Sequence, residues 1–177
     1  MNKKLFLTLF IISILASFSA IGCKNNNTNP DTSTGTDIGE KYQGIWYLNA
    51  APNLQFSPEA PAADIANTLI DYFKQSFNTP IKNEQYTINS DGSILNGQTT
   101  IEKNKISKEG DNKYIADLTI NIPTPNPSIS ISGLKEAYTF NTDGQTATAE
   151  SYIIINIGGK SYNLYVYRDG TFTRTQQ

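Results

Sequence analysis

Few residues in this 177-residue chain could carry chemistry, and the missing types set the first limits. There is no histidine and one cysteine, Cys23. A Ser-His-Asp triad, a Cys-His pair and a His-ligated zinc site are therefore excluded. A lone cysteine also excludes an internal disulfide and any CxxC metal or redox motif. Acid–base work would fall to carboxylates, Lys or Tyr. Asp91, Asp143 and Asp169 each precede a glycine and are explained by turn geometry. Glu150 reads as the one acid centred in a long strand, and a glycosidase needs a facing pair. No Gly-rich phosphate loop precedes a helix and no EF-hand spacing occurs. The sequence thus offers no catalytic residue, no metal-ligand set and no cofactor motif.

The position of Cys23 gives it a different meaning. Lys3 and Lys4 form a basic start, Leu5 to Phe18 is apolar apart from Thr8, Ser13 and Ser17, and Ala20-Ile21-Gly22-Cys23 follows. That is the layout of a secretory signal. It resembles a bacterial lipoprotein signal peptide, of the looser spirochaete-like kind, because only Gly22 and Cys23 fit the strict lipobox. The resemblance implies cleavage after residue 22, a diacylglycerated Cys23 and attachment to a lipid bilayer through acyl chains. An uncleaved membrane anchor or ordinary cleavage beside a bystander thiol are the alternatives. Lys24 to Gly39 is rich in Asn, Thr, Gly and Asp, and reads as a disordered tether. The expected organisation is a signal peptide over 1–22, a lipidated cysteine and tether over 23–39, and one domain over 40–177. Loss of Lys3 and Lys4 leaves 12 basic against 16 acidic residues, a charge of −4. That balance argues against nucleic acid as a partner. Lys24 after the cysteine resembles the sorting pattern of outer-membrane cargo, so the cell envelope and its outer membrane are the expected location.

From Glu40 onward, period-2 alternation and β-branched or aromatic residues predict a mainly β domain. Strands are expected at Tyr42–Leu48, Gln85–Ser90, Ser93–Leu95, Gln98–Lys103, Lys113–Ile122, Ser128–Ser132, Lys135–Asn141, Gln145–Ile157, Lys160–Arg168 and Thr171–Thr175. The segments at Asn89–Gly92 and Asn141–Gly144 suit three-residue hairpin loops, and Gly158-Gly159 suits a two-residue turn. Arg168-Asp169-Gly170 reads as a further turn. Ile65, Leu69, Phe73 and Phe77 recur every four residues, which predicts one helix over about Ala62–Asn78, packed as a lid or end plug. Lys103, Lys105 and Lys108, alternating with Glu102 and Glu109, read as a solvated edge.

Register from the Gly158-Gly159 turn sets Ile155 opposite Tyr162, Ile153 opposite Leu164 and Ser151 opposite Val166, a core face. On the other face Tyr152 pairs with Tyr165 and Glu150 with Tyr167. An aromatic second face has three readings: an outer surface, a seat for the helix, or the wall of a ligand cavity that would include Trp46.

Gly44-Ile45-Trp46 lies in the first strand. It resembles the Gly-x-Trp motif that opens lipocalins and related calycin barrels. The resemblance implies an Arg from a late strand stacked on the Trp, closing the barrel end in a structural role. The chain has two arginines; Arg174 is the better match and Arg168 the alternative. The expected fold is an antiparallel meander forming a calycin-like barrel or half-barrel, with the helix between the first and second strands. A cystatin-like α+β sheet wrapped on a helix is the rival. The expected function is non-enzymatic binding of a small apolar ligand, with Trp46, Glu150, Tyr152, Tyr165 and Tyr167 as its wall. A structural or antigenic surface lipoprotein that binds an envelope or host protein, without a pocket, is the alternative.

Overall fold

The computed structural model describes residues 38–118, 122–124 and 126–176. The signal segment, Cys23 and most of the expected tether lie outside the described residues. The strands are β1 (Gly44–Ala50), β2 (Gln55–Phe56), β3 (Ile81–Ile88), β4 (Ile94–Asn96), β5 (Thr99–Ile101), β6 (Ile106–Glu109), β7 (Lys113–Leu118), β8 (Ile129–Phe140), β9 (Thr146–Ile157) and β10 (Lys160–Thr173). One helix, α1 (Ala63–Lys74), separates β2 from β3.

All pairings are antiparallel, in the order β5-β4-β3-β1-β10-β9-β8-β7-β6. The first strand thus pairs with the last, Tyr47 opposite Thr173, and the meander curls into a nearly closed, calycin-like barrel. The unpaired edges are β5 and β6, consecutive in sequence and joined by a single 3-10 turn, Lys103–Lys105. Both edges are short, and Ser107, Lys108 and Glu109 are exposed, as the charge alternation there predicts. The strand β2 pairs with β10 and keeps the β1 register, Phe56 opposite Leu164.

The inward faces form one core running from Tyr42 to Phe172. At one end it is aromatic. Trp46 is fully buried, stacked on Phe172 at 5.0 Å and edge-on to Phe140 at 5.1 Å, and Tyr42 stacks on Phe140 at 4.2 Å. Ile38 is also buried and the Gly39 amide donates to the Tyr114 hydroxyl at 3.3 Å, so residues 38 and 39 pack with the barrel. At the other end, α1 carries the chain from the end of β1 to the start of β3. It buries Ala66, Leu69 and Phe73, and Ile65 and Phe77 pack beside the core. The Tyr72 hydroxyl donates to the Pro123 carbonyl at 2.9 Å, tying α1 to the lead-in of β8. The helix is thus an end piece and strand side chains fill the interior, which sets aside the cystatin-like sheet wrapped on a helix.

Two expected breaks are absent. Arg168-Asp169-Gly170 is not a turn but part of the 14-residue β10, which absorbs extra residues at bulges between Tyr165 and Tyr167 and between Tyr167 and Gly170. The gap expected at Ser132–Lys135 is a bulge between Ile131 and Gly133 inside the 12-residue β8. A bulge keeps the ladder while inserting a residue, so polar or Gly-containing interruptions need not end a strand. The helix ends at Lys74, earlier than expected, although the Phe77 amide still donates to Phe73 at 2.9 Å.

Candidate functional site in the barrel interior

The bulges decide where the expected site residues go. The register from the Gly158-Gly159 turn holds through Tyr165, which lies opposite Tyr152 as predicted. The first bulge then places Tyr167, not Val166, opposite Ser151 and turns its ring inward, 3% exposed. Glu150 therefore does not pair with Tyr167; its partner on β8 is Ala137. Trp46 and Tyr167 are interior, whereas Glu150, Tyr152 and Tyr165 occupy the outer face, so the five do not share one wall. On that outer face the Tyr152 and Tyr165 rings lie 5.2 Å apart, and the Arg168 guanidinium sits 4.6 Å above Tyr165. Burial and the neighbouring Tyr165 push the Tyr152 hydroxyl up.

Arg174 lies over the indole of Trp46 at 4.8 Å. Its Nε donates to the Gly144 carbonyl at 2.9 Å, and one terminal nitrogen donates to the carbonyls of Lys41 at 2.8 Å and Gln43 at 2.7 Å. The guanidinium thus ties the lead-in of β1 to the β8–β9 turn while covering the Trp. The Trp46 Nε1–H donates to the Tyr42 carbonyl at 2.7 Å, so the indole is held from both sides. Gly44 has φ +112°, and a Cβ there would stand 2.9 Å from an Arg174 nitrogen. Glycine at this position is required by both conformation and space.

The cluster that the sequence reading missed lies further along the same interior. Across one rung run Ala116 on β7, Glu136 on β8, Ser151 on β9 and Tyr167 on β10. Tyr138 lies two residues on from Glu136, on the same face, and its hydroxyl donates to the Glu136 carboxylate. From the facing wall, Glu84 on β3 pairs in register with the buried Leu48, and its carboxylate accepts from Asn96 Nδ2 at 2.9 Å. The rings of Tyr86 and Tyr138 meet at 6.3 Å. The Tyr167 hydroxyl, fully buried, makes no hydrogen bond of normal geometry among the described residues; the Ser151 side chain opposite is the one polar neighbour that acts on it in that way. A buried hydroxyl left so poorly satisfied costs up to ~1–3 kcal/mol relative to a fully bonded one.

Glu136 is surrounded by protein yet keeps exposed surface, as a group does when it faces a cleft and not solid core. The other inward-facing side chains with exposed surface at this level are Glu84, Asn96, Leu118 and Leu134. They sit on β3, β4, β7 and β8, in the two halves of the sheet that end at the β5–β6 gap. The opposite wall, built from Leu48, Ser151, Ile153, Leu164 and Tyr167, is sealed. Burial raises the Glu136 carboxyl to about 7; the Tyr138 hydroxyl partly offsets this, and Glu84 adds to it. Burial and the Glu136 charge hold the Tyr86, Tyr138 and Tyr167 hydroxyls well above the usual phenol range. Such a cluster can exchange a proton near neutrality and can receive a positive charge. No group of three His, Cys, Asp or Glu side chains able to hold a metal ion occurs among the described residues.

Comparison with protein-family models, curated proteins and solved structures finds no match to this chain.

Proposed function

We propose that the chain is a bacterial lipoprotein, held to the outer membrane by an acylated Cys23, whose barrel is a non-enzymatic binding domain for a small, largely apolar ligand. The observation that carries the binding half is the set of inward-facing side chains left accessible on one side of the barrel. Leu118 and Leu134 offer apolar surface there, and Glu84, Glu136 and Asn96 offer polar groups to orient a ligand. Mostly apolar lining with a few fixed polar groups is the usual make-up of small-molecule sites. The lipid half rests on the signal-like segment and the single cysteine at its end. Among the described residues no helix is long and apolar enough to cross a membrane. Native mass spectrometry of protein extracted from its own membrane tests both halves, by the N-terminal acyl mass and by a retained ligand. Loss of retained mass on Leu134→Trp, with the fold kept by circular dichroism, is expected. A barrel that comes through empty under every extraction condition would refute the binding reading. Cys23→Ala is expected to release the protein from membranes, and continued membrane retention would refute the lipid anchor.

The second reading, a surface lipoprotein that binds another protein, draws on the outer Tyr152, Tyr165 and Arg168 cluster, since Tyr and Arg are enriched at protein interfaces.

A further inference from the structure

Resting on the binding reading above, we propose that the barrel site selects ligands with a protonated amine head and an apolar body, the amine seated between Glu136 and Glu84 and within reach of the Tyr167 hydroxyl. Three observations converge on this. First, the two interior carboxylates come from opposite walls, and the influences on Glu136 are burial, the Tyr138 hydroxyl and Glu84; no cationic side chain among the described residues is one of them. A buried acid without a counter-ion is poorly solvated in its ionised form, and a bound cation supplies what the fold omits. Second, the Tyr167 hydroxyl, 3% exposed and without a hydrogen bond of normal geometry, feels both Glu136 and Glu84 and has only the Ser151 side chain opposite as a weak partner. An ammonium N–H can satisfy that oxygen together with the carboxylates. Third, the hydroxyls of Tyr86, Tyr138 and Tyr167 all feel Glu136, so phenol oxygens that can accept from an ammonium gather around the same carboxylate. A metal ion is the poorer fit, because the two carboxylates lack a third His, Cys, Asp or Glu among the described residues. The accessible Leu118 and Leu134 beside the acids suit an apolar chain extending from the amine.

The test uses the full chain in detergent, titrated calorimetrically with n-octylamine, n-octanol and octanoate. At pH 8, octylamine is expected to bind at least tenfold tighter than octanol, with octanoate weakest. Glu136→Gln should bring octylamine down to the octanol level. Should that variant fail to fold, Tyr167→Phe provides a second probe: octylamine weakened several-fold, octanol unchanged. Because Glu136 protonates at about 7, octylamine affinity should fall at least ~10-fold, toward the octanol level, between pH 8 and pH 5, with octanol unaffected. Equal affinities for octylamine and octanol, or an octylamine affinity unchanged in both variants, would overturn the amine assignment while leaving the apolar cup intact. Failure of all three compounds to bind would overturn both.

Discussion

Removing the Arg174 side chain should open the barrel at its aromatic end. In Arg174→Ala three hydrogen bonds and the indole cover are lost together. The Lys41 carbonyl is at an exposed site and water replaces the guanidinium there. The Gly144 and Gln43 bonds are partly buried, and each is worth ~1 kcal/mol net. The cation over Trp46 adds ~0.5–1 kcal/mol. The total is a loss of ~2–4 kcal/mol, or roughly 6–12 °C in Tm for a domain of this size. Arg174→Lys should keep less than half of this, because one ammonium cannot reach carbonyls on two segments and cover a ring at once. Urea unfolding followed by far-UV circular dichroism and by fluorescence of the single Trp measures the loss, and both probes should shift together. A cost below ~0.5 kcal/mol for Arg174→Ala would show that the contact is incidental and that the barrel end holds by stacking alone.

Gly44→Ala should cost ~1–3 kcal/mol in the same assay, since φ +112° and the Arg174 nitrogen both oppose a Cβ. Combined with Arg174→Ala it should cost less than the two separate losses added, because the clash disappears with the guanidinium. Glu136 gives a pH dependence of definite sign. Its carboxyl is raised in the folded state to about 7 from the ordinary 4.5, so between those values the folded protein holds the extra proton. Unfolding free energy should therefore decline as pH rises through that window, by ~3 kcal/mol at most. Glu136→Gln, which keeps an acceptor for Tyr138, should flatten the decline and be more stable than the parent at pH 8; equilibrium urea titrations at pH 5 and pH 8 decide this. Tyr167→Phe removes a buried hydroxyl that has only a weak partner in Ser151, and should leave stability unchanged or raise it by up to ~1 kcal/mol, read from the thermal midpoint without ligand. Gly170→Ala should destabilise strongly, as its Cβ would stand 2.9 Å from the Ala149 carbonyl oxygen; a normal melting temperature would contradict the close packing of β9 and β10.

Much of the fold was legible because local chemistry dictates it. The Gly158-Gly159 turn fixed the β9–β10 register as far as Tyr165, and the four-residue spacing of Ile65, Leu69 and Phe73 marked α1. The interior site was not legible, for two physical reasons. A bulge costs a strand one residue of register without any necessary change in composition, so alternation carried Tyr167 to the wrong face. The Gly in Ser132-Gly133 suggested a strand end, and splitting β8 there hid that Glu136 is centred in a long strand, as Glu150 is in β9. One signal was present. Leu134, Glu136, Tyr138 and Phe140 share parity, and an acid in step with two aromatics belongs on their face. Glu84 carried a like mark, in step with Tyr86 and Ile88, but lay one residue outside the strand expected from Gln85. The bulge at Asn83 puts Ile81, not Glu84, out of step with β1.

The pairing of β1 with β10 joins Tyr47 to Thr173, residues at opposite ends of the described chain. Loop-closure entropy must be met in full before that contact returns anything, so barrel completion belongs late in folding. Until Phe172 and Arg174 arrive, Trp46 lacks both its stacking partner and its cover. A ribosome-bound chain cannot close the sheet until β10 has emerged, after all the other described strands. The open intermediate would expose the inner edge of β1, and the chain would need protection from pairing with its neighbours over that interval. The indole is then a built-in clock: its fluorescence reports the final event of assembly, separately from the earlier hairpins.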